Sequence, residues 1–95
     1  MAEKRFKTLH PEAGKQGVNI NEEKYGIVRD AILETIREHG TITFQELTKE
    51  VNRKLEGHFD GSISWYVTTT KLDLEARGTI ERLPGSKPQR IRLRS

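Results

Sequence analysis

Residues 62–95 read SISWYVTTTKLDLEARGTIERLPGSKPQRIRLRS, a segment of helical length, a glycine stop, and two short β-like runs around a turn. Ile63, Val67, Thr70 and Leu74 recur at spacings of three and four, with Tyr66 at the edge. That spacing predicts one buried helix face, with Ser62 as its cap and Arg77 near its end. Gly78 breaks the period. Thr79–Leu83 and Gln89–Leu93 then read as two strands joined by Pro84-Gly85-Ser86-Lys87-Pro88. Alternation sends Ile80, Ile91 and Leu93 to the core, and Glu81, Arg90, Arg92 and Arg94 to solvent. The other side of the helix is unusual, because Trp65 and Leu72 fall together there with Ala76 nearby. A helix with two apolar faces is either covered on both or binds something on one.

Upstream, Tyr25, Val28, Ile32 and Ile36, with Ala31 beside them, make the apolar stripe of a first helix over about 22–39. Asn21 is placed to cap it, Glu22 and Glu23 suit its positive end, and Gly40 ends it. His39, in the last turn, faces the helix dipole and is not read as a ligand. Thr41-Ile42 reads as a short strand that pairs with the C-terminal hairpin. Thr43-Phe44-Gln45-Glu46 fits a capping box, in which the Thr43 hydroxyl takes the Glu46 N–H and the Glu46 carboxylate reaches back. A second helix over about 44–55 then turns Phe44, Leu47, Val51 and Leu55 inward, and Glu56–Gly61 forms a loop. Residues 1–20 read as an irregular N-terminal arm with a short strand near Gly17–Ile20. Phe6, Leu9, Val18 and Ile20 are available to pin it to a domain spanning 21–95.

The whole is a single α+β unit of 95 residues, one third apolar and one third charged, with a small core and a heavily charged surface. No apolar run approaches the roughly 18 residues of a membrane span. The opening MAEKRFKTLH lacks the apolar stretch of a signal peptide. Cysteine is absent, which excludes disulfides and thiolate metal sites. These features lead us to expect a soluble cytoplasmic protein. The formal charge of +3 is unevenly spread. Residues 22–60 hold nine acidic and six basic side chains, whereas after Ala76 six basic residues stand against Glu81 alone.

The order helix, short strand, helix, helix, two-stranded hairpin resembles the winged helix-turn-helix superfamily. Leu74-Glu75-Ala76-Arg77-Gly78-Thr79-Ile80-Glu81-Arg82 is similar to the junction between recognition helix and wing in many bacterial regulators. A closer likeness is to a family of small uncharacterised bacterial winged-helix proteins. It is carried by Trp65-Tyr66-Val67, Leu72 through Gly78, Ile80 and Lys87-Pro88, together with Gly14-Lys15-Gln16-Gly17 and Lys24-Tyr25. The likeness spans most of residues 10–93. It implies a three-helix bundle with a C-terminal hairpin wing and a short strand after the first helix.

Two functional expectations follow. In the first, the chain binds double-stranded DNA as a transcriptional regulator. The third helix enters the major groove with Ser64, Thr68, Thr69 and Lys71 at base edges or phosphates. Arg82, Lys87, Arg90 and Arg92 of the hairpin draw the backbone, and a homodimer raises the affinity. In the second, the domain is a protein-interaction module whose partner meets Trp65, Tyr66 and Leu72. The two separate on whether the arginines face solvent unneutralised and whether Trp65 is exposed. No catalytic reading emerges. His10, His39 and His58 lie in different segments without ligand spacing, and Gly61-Ser62-Ile63-Ser64 lacks the second glycine of a nucleophile elbow. Gly85-Ser86-Lys87 lacks the rest of a phosphate-binding loop. No metal or cofactor is expected.

Overall fold

The computed structural model describes residues 4–85 and 87–94. Its elements in chain order are β1 (Arg5–Lys7), β2 (Asn19–Asn21), α1 (Glu22–His39), β3 (Thr41–Thr43), α2 (Phe44–Leu55), α3 (Ile63–Ala76), β4 (Ile80–Arg82) and β5 (Arg90–Leu93). Three helices thus join two small antiparallel sheets, one of β1 and β2 and one ordered β3-β5-β4. No helix is long and apolar enough to cross a membrane among the described residues.

Local chemistry sets the helix ends. The Asn21 side chain accepts from the Lys24 N–H at 2.9 Å, and the Gly40 N–H closes α1 on the Ile36 carbonyl at 2.7 Å. His39 Nδ1 lies 2.9 Å from the Thr35 carbonyl. Thr43 Oγ1 accepts from the Glu46 N–H at 3.1 Å and donates to the Glu46 carboxylate at 2.9 Å. The expected box is therefore half-formed, since the carboxylate reaches the Thr43 hydroxyl rather than its backbone. The Ser62 hydroxyl accepts from the Trp65 N–H at 3.3 Å. At the far end of α3 the Thr79 N–H meets the Leu74 carbonyl and the Gly78 N–H that of Glu75, at 3.0 and 3.1 Å. This paired closure needs a residue of positive φ at its centre, and Gly78 supplies it at 79°.

The stripes close into one core. Val28, Ile32 and Ile36 of α1 meet Leu47 and Val51 of α2, Val67 and Leu74 of α3, and Ile42, Ile80 and Ile91 of the three-stranded sheet. Side chains this fully buried each contribute about 1.5–3 kcal/mol. Phe44, Leu55, Ile63 and Leu93 pack around them, half-buried. Lys54 of α2 ties the bundle from outside, donating to Glu34 and Glu38 of α1 at 3.2 and 2.7 Å. The strand after α1 pairs as expected, with Ile42 opposite Ile91 and Thr43 opposite Arg90. In the hairpin Ile80 faces Leu93 and Glu81 faces Arg92. Ser86, at the centre of the expected turn, lies outside the described residues.

The arm departs from expectation. Its first strand is Arg5–Lys7, in a segment read as irregular, and its second begins at Asn19 rather than Gly17. Phe6 opposes Ile20 in the register. Ladder bonds continue to Thr8, whose N–H donates to the Val18 carbonyl at 2.9 Å and whose hydroxyl accepts from the Val18 N–H at 2.8 Å. Gly17 is required there, because a Cβ would stand 2.0 Å from the Thr8 carbonyl oxygen.

Candidate interaction furrow between the arm and the third helix

Asp73 joins the arm to the bundle. It lies on the flank of α3 with 0% of its surface exposed. Its carboxylate accepts from the Leu9 N–H at 2.8 Å, from the Arg77 Nε–H at 2.9 and 3.0 Å, and from the Tyr25 hydroxyl of α1. Burial first, then the hydrogen bond to Asp73, pushes the Tyr25 hydroxyl well above its ordinary range. The Arg77 guanidinium is held charged chiefly by its bond to Asp73 and lies 4.9 Å from the Phe6 ring centroid. Phe6 in turn stacks on Tyr25 with centroids 4.1 Å apart. The arm, α1 and α3 thus converge on one buried carboxylate.

This latch sets the arm alongside the outer face of α3 without closing over it. Trp65 remains 46% exposed, and Leu9 and Val18 face it at 43% and 41%. Between them lies a cavity of about 110 Å³, with Leu72 and Thr69 also on the helix side and Thr8, His10, Gln16 and Gly17 on the arm side. Its walls include no Asp, Glu, Lys or Arg. A second cavity of about 320 Å³ shares the arm residues from Thr8 to His10 but is bounded by Ala76 on the helix and by Lys7 and Lys15 on the arm. Trp65, Leu72 and Ala76 succeed one another along α3, so the two cavities form a continuous furrow.

The residues expected at a DNA surface are dispersed. Ser64 and Thr68 are exposed on α3, while Thr69 is half-buried and lines the furrow. Lys71 corrects the expectation of a solvent-facing cation, since only 5% of it is exposed. Its ammonium is ion-paired to Glu75, donates to the Gln89 side chain at 3.1 Å and lies 5.1 Å from the Phe44 ring centroid. Burial, opposed by the Glu75 contact, pulls its pKa below the ordinary lysine value. Arg82 reaches Glu75 at 2.7 Å and Arg92 reaches Glu81 at 3.1 Å, so both guanidiniums expected to be available to phosphate sit beside the protein's own carboxylates. Lys87 and Arg90 are exposed. A cleft of about 460 Å³ near the base of the hairpin mixes Arg82 and Arg94 with Glu12, Glu75 and Glu81, which leaves it close to electrical balance.

Of the alternative set, Trp65 is exposed and Leu72 half-buried. Tyr66 turns inward, edge-on to Phe59 with centroids 5.1 Å apart. Leu9 and Val18 had been available as pins for the arm, yet they stay exposed as the far wall of the furrow. Their apolar character beside Gly17 was the sequence signal for that role, but only the latch at Asp73 reveals which helix they face.

The fold and furrow define a small α+β domain with a two-stranded arm held along its third helix. A family model described as a family of unknown function (DUF6958) matches residues 5–91, and the chain belongs to that family. The match takes in the arm from the start of β1 together with all three helices. No curated protein matches the chain.

Proposed function

We propose that this protein is a non-catalytic protein-interaction module of winged-helix architecture, which receives a segment of a partner in the furrow between its arm and α3. The order of three helices, the intervening strand and the C-terminal hairpin support the architectural part of this reading. One observation carries the functional part. Trp65, Leu9 and Val18, each more than two fifths exposed, face one another across a cavity whose walls hold no Asp, Glu, Lys or Arg. Tryptophan is among the residues that most often anchor an interface, and Leu9 and Val18 give it an apolar surround.

A second reading, duplex DNA binding by α3 and the hairpin, draws support from exposed Ser64, Thr68, Lys87 and Arg90. Two features favour the first. A helix with its side chains is about 10–12 Å across, and the major groove about 12 Å wide. The arm latched along α3 therefore obstructs entry. The carboxylates beside Arg82 and Arg92 also lower the attraction for phosphate.

One comparison separates the readings. An array of random 12-residue peptides is probed with the wild-type chain, with Trp65→Ala and with Lys87→Glu/Arg90→Glu, alongside fluorescence anisotropy on a generic duplex. The interaction reading expects peptide binding that falls at least tenfold in Trp65→Ala and persists in the double variant. Duplex binding that weakens steeply with salt, is lost in the double variant and survives Trp65→Ala would replace it with the DNA reading.

A further inference from the structure

We infer that the segment received by the furrow is acidic and inserts one bulky aliphatic side chain beside Trp65. This rests on the interaction reading above and adds the chemistry of the partner. The size of the first cavity sets the anchor. An apolar cavity of about 150 Å³ accommodates a benzene ring, so one of about 110 Å³ suits a single leucine, isoleucine or methionine side chain. Its walls offer a buried ammonium no carboxylate, and a buried carboxylate only the His10 imidazole, which disfavours a charged anchor.

Charge sets the flanks. Among the described residues of the arm, Lys4, Lys7 and Lys15 stand with Glu12 as the acidic side chain, and Lys7 and Lys15 border the second cavity directly. Lys15 meets Glu12 at 3.1 Å, with both side chains more than half exposed. A pair this open to water is weakly held, so an incoming carboxylate can compete for the ammonium. Asp73 lies nearby but is already engaged by Leu9, Tyr25 and Arg77. Glu75 lies toward the hairpin, held by Lys71 and Arg82. An anchor lodged beside Trp65 would place its neighbouring residues near Lys7 and Lys15, where carboxylates are attracted and ammonium groups repelled.

Trp65 is the only tryptophan in the chain, so its emission reports occupancy of the first cavity. Blocked 12-residue peptides with a central leucine are titrated in three backgrounds, with flanks of Asp and Ser, of Gly and Ser, or of Lys and Ser. A fourth peptide keeps the acidic flanks and replaces leucine by serine. The acidic leucine peptide should shift the emission and bind at least tenfold more tightly than the lysine-flanked and serine-centred peptides. Lys7→Glu/Lys15→Glu should erase the preference for acidic flanks. Leucine peptides that bind equally in all three backgrounds would overturn the charge assignment and leave the furrow as a docking site. Failure of every peptide, with sedimentation mass rising with concentration in wild type but not in Trp65→Ala, would assign the furrow to a second copy and overturn the inference. Failure of every peptide without such a rise would overturn the docking site itself.

Discussion

Asp73 buries its carboxyl group with none of its surface in water, a situation tolerable only while its donors stay in place. Replacing it by alanine strands the Tyr25 hydroxyl and the Leu9 N–H, and each lost partner of a buried group costs roughly 1–3 kcal/mol. Asp73→Ala should therefore lower stability by about 2–6 kcal/mol in urea denaturation, with faster proteolysis of the arm than of α1. Tyr25 adds a pH signature. Its pKa is raised in the folded state, so folding is favoured by this group below its unfolded value of about 10 and that benefit drains away above it. The expected slope is about 1.4 kcal/mol per pH unit for one proton, and Tyr25→Phe should flatten the alkaline decline measured by denaturation at pH 9.5–11. None of this is legible locally. Asp73 lies between Leu72 and Leu74 and looks like an ordinary helix charge paired with Arg77 four residues on, because the partners that bury it stand 48 and 64 positions away. The Lys71–Glu75 pair, four residues apart on one helix, was readable, but its burial depends on Phe44 and Gln89 from other elements.

At the scale of elements, α3 is asymmetric in what its two sides do. Leu74, 2% exposed, belongs to the core, and Leu74→Ala should cost about 2–5 kcal/mol. Trp65→Ala should cost about 1 kcal/mol or less, since most of the loss falls on an edge contact with Tyr66. Thermal melting of the two variants checks the contrast. The arm is more brittle. Gly17→Ala sets a methyl group against the Thr8 carbonyl, so it should open the end of the β1–β2 ladder and accelerate amide exchange at Thr8 and Val18. The helices were legible because three- and four-residue spacings span each of them. Strand β1 was not, since Arg5-Phe6-Lys7 is too short to establish alternation, and Phe6 gains its place by stacking on Tyr25.

Over the whole molecule the decisive quantity is where charge is left over, not its sum. The sequence places the basic residues on the hairpin and counts Glu81 beside them, but does not show that Glu75 and Glu81 come to rest against Arg82 and Arg92. The exposed apolar surface points the other way, toward the arm. The arm carries its own basic residues beside that surface, so attraction and anchoring occur at one place. A partner drawn by Lys7 and Lys15 would encounter rapidly and be retained by contacts around Trp65. Raising salt should slow its arrival more than hasten its departure, as stopped-flow measurement of Trp65 emission would register.

The bond from Leu9 to Asp73 also has a temporal meaning. During synthesis the β1–β2 hairpin leaves the ribosome long before the residues of α3 have been joined to the chain. Two strands alone are marginal in water, and although Phe6 can settle on Tyr25 of α1, the hairpin lacks its bond to Asp73 until α3 has been made. Docking of the arm is therefore completed only by a segment made after it. A ribosome stalled short of Asp73 would display Phe6 and Leu9 to the chaperones gathered at the tunnel exit.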